Sequence, residues 1–440
     1  MILIYSEKIN NRLSYTCKVI FELILEKPFE LTDELEKFEE YDGVKFNYSK
    51  VEDLPGIQIW PSGLLAERGL KEQKIDYCKW GDLPALFPTS SELPVPFDLF
   101  SSAFYLITRY EEYLPHASDE YGRFKADLSI AYEYDFLHLP IIDLWAYKLR
   151  DLICSIYASA KFQERQYKFI STIDIDSAFA YRHKGLVRTL GGFAKDVSQL
   201  DLENFTARMR SLLGKDPDPF DTYEELQFLH DEFDIESIYF FLLADYGHND
   251  KNVSVNSRPF QSLIKSIADH ARVGIHPGFM SNYQPEKLPK EVSRLSQIVK
   301  REITVSRQHF LMLQLPKTYR KLINLDIKED YTMGFAQRVG FRAGTCTPFP
   351  FYDLDQDFTT KLMLYPFAAM DATLNFYMEL TPDEAYQEIC KLSNEVRKVN
   401  GTFISLWHNE SLSDKWHWKG WKDLYQRMIM NAREHEEQQE

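Results

Sequence analysis

The chain has 440 residues, 44% hydrophobic and 15% aromatic, which is more than one core usually holds and sets two domains as the expectation. Its formal net charge of −16 argues against the basic surface that non-specific nucleic-acid binding needs. The first residues lack a basic start with a long apolar run, and the apolar stretch 19–25 is broken by Glu22, so the chain reads as cytoplasmic, without a signal peptide or a transmembrane segment.

In chain order, 2–5 reads as a short strand, 13–25 as a helix with apolar residues at helical spacing, and 29–31, 44–48 and 57–60 as strands. The segment 96–113 reads as a helix that Asp98 can cap, with a mixed-charge group of Arg109, Glu111 and Glu112 typical of a solvated or ion-paired face. A second helix, 141–158, closes a first α/β domain over 1–160. Polar 161–168 then marks a boundary. Cys17, Cys78, Cys154, Cys346 and Cys390 have no metal-type spacing and read as reduced thiols, most of them packed.

From 165 to 432 strands alternate with helices. Strands are expected at 169–175, 237–243, 272–276, 303–305, 340–342, 361–366 and 402–407. Helices are expected at 200–213, 223–233, 260–271, 288–301, 317–325, 382–398 and 421–432. The pattern implies an α/β fold with a mostly parallel sheet, open or closed into a barrel, whose polar groups at the carboxyl ends of strands carry the chemistry. The acidic residues 433–440 read as a disordered tail.

The strand 169–175 ends in Asp174-Ile175-Asp176, and alternate residues share a side, so the two carboxylates project together and need a cation or a shared proton. At the other strand ends stand His276, His309, Arg342, Asp371 and His408. One carboxylate and two neutral imidazoles suit an open site for zinc, iron or another divalent cation, which would supply an activated water. The second carboxylate can act as general base and Arg342 can keep it ionised. His408 can protonate the leaving group, and Asp371 can orient it.

This constellation resembles the NodB-type polysaccharide deacetylases over 165–432: Thr172-Ile173-Asp174-Ile175-Asp176, His276-Pro277-Gly278, Phe341-Arg342-Ala343-Gly344, Asp371 and Leu406-Trp407-His408 stand in the places of the five family motifs. The resemblance implies a distorted (β/α)7-type barrel, a carbohydrate substrate and removal of N- or O-acetyl groups. It makes Asp174 the base, Asp176 and His276 ligands to a divalent metal (zinc first, with nickel, cobalt or iron as alternatives), Arg342 the group that tunes the base, and His408 the acid. The whole chain is similar to a subgroup common in Bacteroidetes that carries a smaller uncharacterised α/β domain ahead of the barrel, including the Phe97-Asp98-Leu99-Phe100 and Arg109-Tyr110-Glu111-Glu112-Tyr113 stretches.

Two departures from the family pattern stand out. Met280 occupies the place of a second histidine, and a thioether does not replace imidazole for a hard or borderline ion, so His309 becomes the candidate third ligand. Ala343-Gly344-Thr345 replaces the usual proline and aromatic residue. Trp416, Trp418 and Trp421 with His417 could stack on sugar rings or pack the last helix. Asp245 and His248 also end a strand and receive no role. Two other readings compete: a degenerate barrel that binds glycan or scaffolds an assembly, and an Asp-x-Asp glycosyltransferase.

Overall fold

A computed structural model describes residues 1–436. The protein forms two compact units: Met1–Lys168 with Leu313–Ala368 and Lys391–Phe403, and Phe169–Met312 with Ala369–Cys390 and the residues from Ile404 onward. The division differs from the expected one at 160–165, because 313–368 and 391–403 pack with the N-terminal part. Gly344 O accepts from Ile142 N at 2.9 Å, Leu137 O from Phe341 N at 2.8 Å, and Pro350 O from the Tyr15 hydroxyl at 2.9 Å. Of the tail expected to be disordered, 433–436 continue the helix Trp421–Glu436, and 437–440 lie outside the described residues. No helix among the described residues is long and apolar enough to cross a membrane.

In the first unit, Ile2–Tyr5 is buried at all four positions and pairs in parallel with Phe29–Thr32 on one side and Lys45–Asn47 on the other; Ile57–Gln58 adds a fourth strand. The 13–25 segment is the α-helix Asn11–Cys17, capped by the Asn10 side chain, running into a π-helix Lys18–Ile24. Asp98 caps Leu99–Ile107 through the amide of Ser101, and every residue of that helix is buried. The helix does not reach 113. Arg109 turns left-handed at φ 54°, and a 3-10 turn Tyr110–Tyr113 follows. Its charged group is not a solvated face, since the buried Arg109 binds Glu111 at 2.6 Å and Glu112 at 2.7 Å. The expected strand 340–342 is instead a turn: Gly340 has φ 126°, and a Cβ there would lie 2.4 Å from Leu137 O.

The second unit is mixed α/β with a parallel-rich sheet. Its strands run in the order Val305–Ser306, Arg272–His276, Glu236–Leu242, Lys168–Ile175, Thr402–His408, Ala369–Met370. The register is Ile175 to Phe241, Leu242 to His276, Ile275 to Ser306, and Met370 to Leu406, all in parallel pairs. This brings the carboxyl ends of the strands to one edge. Gly274 is needed for close packing, as a Cβ there would meet the Phe240 ring at 2.7 Å. One helix, Leu186–Ser198, was not foreseen. Its adjacent Gly191 and Gly192 lower helix propensity enough to hide it.

Candidate active site

Lys168–Ile175 is buried beyond its first residue, as its β-branched, apolar sequence requires, and it delivers Asp174 and Asp176 to that edge. The Asp174 carboxylate is buried. Its Oδ1 accepts from Arg307 at 3.0 Å, and its Oδ2 lies 3.6 Å from His276 Nε2. Asn409 anchors the end of the strand, giving its amide to Asp174 O at 3.3 Å and its side chain to Ser177 O, Phe220 O and the Tyr223 hydroxyl.

Asp176 faces three imidazoles. Its Oδ1 lies 3.2 Å from His276 Nε2, and its Oδ2 lies 3.3 Å from His309 Nε2 and 3.9 Å from His408 Nε2. Burial pushes this carboxyl up, but His309, His276 and His408 outweigh it and hold the group well below the carboxylate range. One ligand atom from each of Asp176, His276 and His309 falls within 4.8 Å of the others.

The tautomers follow from the partners. His276 Nδ1 is 2.7 Å from the carbonyl of Arg307, which can only accept, so Nδ1 carries the proton and Nε2 turns toward the carboxylates. His309 Nδ1 is 2.9 Å from Asp250 Oδ1. Asp250 is itself buried and also accepts from Phe279 N at 2.8 Å. A carboxylate or carbonyl behind each ring is the arrangement that fixes metal-binding histidines. Burial works against a proton on His309, but Asp176 and then Asp250 raise it to about 9.

These donors fit a divalent cation. Asp176 Oδ1 is buried and accepts no hydrogen bond among the described residues, although the two Nε2 atoms converge beside its carboxylate. One carboxylate oxygen and two imidazole nitrogens with open positions suit zinc or a neighbouring first-row ion. Met280 lies more than a third exposed, and the third donor is His309, from the strand end next to that of His276.

His408 closes the strand Thr402–His408. Asp371 grips it twice, accepting from Nδ1 at 2.8 Å and from the backbone amide at 2.8 Å. Burial opposes its charge, but Asp371, then Asp176 and Asp174, keep the ring protonated well above the usual histidine range.

Arg342 is a correction. The motif place suggested that it attends the base, but its guanidinium binds Glu112 at 2.5 and 2.9 Å and Gly334 O at 2.9 Å, inside the first unit. The cation on Asp174 is Arg307, which also donates to Thr172 at 2.7 Å and lies over the Phe240 ring. Arg307 and Asp250 were both missed. Arg307 sits beside His309 in Ser306-Arg307-Gln308-His309, and that adjacency was the available signal; Asp250 offered none. Asp245 is taken by Arg294 at 2.6 Å. Trp418 and Trp421 are buried and pack against each other at 5.3 Å, whereas Trp416 is 47% exposed.

Residues 2–158 match a domain family described only as a family of unknown function (DUF7033). No curated protein matches the chain. Among solved structures it is similar to a candidate polysaccharide deacetylase from Mycobacterium smegmatis, at 12% identity and a TM-score of 0.40, over 62% of this chain and 86% of that one. It is similar to a CE4 family pseudoenzyme from Bacillus anthracis, at 10% identity and 0.32, over 62% and 63%. It is also similar to the Puue allantoinase, at 9% identity and 0.39, over 61% and 84%.

Proposed function

We propose that the protein is a metal-dependent hydrolase that removes acetyl groups from a carbohydrate. One observation carries this reading. A buried carboxylate held by a cation, Asp174 with Arg307, and an imidazolium held by a carboxylate, His408 with Asp371, flank the Asp176, His276 and His309 donor set. An acyl hydrolase needs a base for water, an acid for the leaving group and an electrophile between them.

Asp176, His276 and His309 would hold the ion, which when bound supplies an acidified water and a Lewis acid for the acyl oxygen. Asp174 takes a proton from the attacking water while Arg307 fixes the carboxylate's orientation. The water oxygen bonds to the acyl carbon, and the carbon–nitrogen or carbon–oxygen bond of the acetyl group breaks. The electron pair goes to the sugar amine or hydroxyl, which His408 protonates from Nε2 while Asp371 holds Nδ1. The products are acetate and the free sugar amine or alcohol. Trp416, exposed on the same unit, is available to stack on a sugar ring.

The test is acetate release from N-acetylated and O-acetylated oligosaccharides by the zinc-loaded wild type and by Asp174→Asn. The variant is expected to lose roughly 10²-fold or more in kcat with zinc binding retained. Equal rates would reject the base assignment.

A further inference from the structure

The segment 177–188 leaves the Asp176 strand at its carboxyl end, where the site lies. It holds Arg182, Lys184 and Arg188 and no Asp or Glu, in a chain whose net charge is −16. The buried Asp218 fixes its course, accepting from the amides of Ala180 at 2.6 Å, Tyr181 at 2.9 Å and Arg182 at 2.9 Å. Two of its cations stand toward opposite flanks of the catalytic groups. Arg188 donates to Asn252 O and Lys251 O at 2.8 Å and lies over the Tyr246 ring, in the loop whose Asp250 holds His309. These contacts place the guanidinium without neutralising it. Lys184 stands toward the acid, since it and Glu410, two residues beyond His408, act on each other's charge.

Lys184 lacks a bonded acceptor. It is partly buried, and among the described residues its ammonium makes no hydrogen bond and no ion pair. Burial, and after it repulsion from Arg188, lowers it to about 8, so it is still a cation at neutral pH. The carboxylates that act on it do not cancel it. Asp218 is engaged by the three amides, and burial raises Glu410 to about 7. An ammonium drawn out of water without an acceptor is unfavourable until a ligand brings one. On the hydrolase reading the leaving atom faces His408 Nε2, so the sugar that bears it lies on the Lys184 side of the metal group.

We propose that Lys184, with Arg188, holds an anionic group, phosphate or carboxylate, on the acylated sugar. The placement of the sugar beside His408 rests on the hydrolase reading. The test is calorimetric titration of the full chain, stripped of metal so that no ion takes the anion. The ligands are N-acetylglucosamine, N-acetylglucosamine 1-phosphate and N-acetylglucosaminuronic acid. At least one charged sugar is expected to bind roughly tenfold or more tighter than the neutral one, and less so at high salt. Which of the two does so names the anion. Lys184→Gln should erase the preference and Lys184→Arg should keep most of it, with circular dichroism unchanged. Arg188→Gln should lower it about fivefold. Equal binding of the three sugars, binding of none, or a preference that survives Lys184→Gln would overturn the proposal. Acetate release by the zinc-loaded protein separates the two readings. Hydrolysis with no charge preference in binding or turnover keeps the hydrolase and ends the anion subsite. Binding of a charged sugar through Lys184 with no hydrolysis does the reverse.

Discussion

Two arginines divide the work that one motif assigned to Arg342. Arg307 touches Asp174, so Arg307→Met is expected to cut kcat by roughly 10²-fold or more by releasing the base from its orientation, with little change in zinc binding. Arg342→Met is expected to leave kcat per folded molecule unchanged and to destabilise the first unit by about 3 kcal/mol, since it removes one partner of a buried ion pair and leaves Arg109 on Glu112. Denaturant melts and kinetics on both variants check this, and the opposite pattern would restore the motif assignment. His309 gives a second outcome. In the metal-free protein its proton persists to about pH 9, yet a ligand must be neutral, so zinc binding at pH 7.5 is expected to release about one proton from this ring. Calorimetry in buffers of different ionisation enthalpy measures it, and His309→Ala should abolish that proton along with most of the affinity. Asp174, Asp176, His276 and His408 were legible because each closes a strand with a readable apolar pattern. Arg307 was not, because its reach to Asp174 spans 133 residues and depends on strand order.

At the scale of elements, the long buried strands could be read from their composition, and the strand expected at 303–305 overlaps Val305–Ser306, whereas Ala369–Met370 is too short to show a period. The helix Leu186–Ser198 was obscured by its glycines and its outward leucines, and the helix over 96–113 was overextended because nothing local announces the left-handed Arg109. The loop after His276 shows how an element fixes a candidate ligand. Glu291 on the helix Lys287–Val299 is buried, accepting from Gly278 N at 2.9 Å and the Ser281 hydroxyl at 2.7 Å, with burial first among the influences that raise its carboxyl above the usual range. Gly278 is there for space and not for its φ of −62°, as a Cβ would lie 2.5 Å from the Ala244 Cβ and 3.1 Å from Asp250 Oδ2. Gly278→Ala is therefore expected to cost about 1–3 kcal/mol and to weaken zinc binding by displacing Asp250 from His309. A urea melt with a parallel zinc titration reads both, and a variant with wild-type values for each would show that the loop yields without moving the ligand.

For the whole molecule, the two units answer to different variables. Glu112 belongs to the first unit. Burial alone would raise it, but Arg342 and Arg109 bring it down to about 2 from an ordinary 4.5. A carboxyl lowered on folding stabilises fully above its unfolded value, so this contribution is present above pH 4.5 and fades as pH falls toward 2. The shift corresponds to about 3 kcal/mol, all of it in the unit that holds no part of the metal group. The second unit holds Asp176, His276 and His309 together, and an ion that binds its folded form and not its unfolded chain stabilises it by mass action. Free zinc at about a hundred times Kd adds about 2.7 kcal/mol, or roughly 5–10 °C in Tm for a unit of this size. Scanning calorimetry at pH 7.5 is accordingly expected to show a Tm that rises with zinc, falls back with chelator and is fixed in His309→Ala. In the metal-free protein the Tm should drop between pH 4.5 and 2, an acid response reduced in Glu112→Gln. If zinc did not move the Tm of the wild type, the donor set would not be a metal site and the hydrolase reading would fail with it.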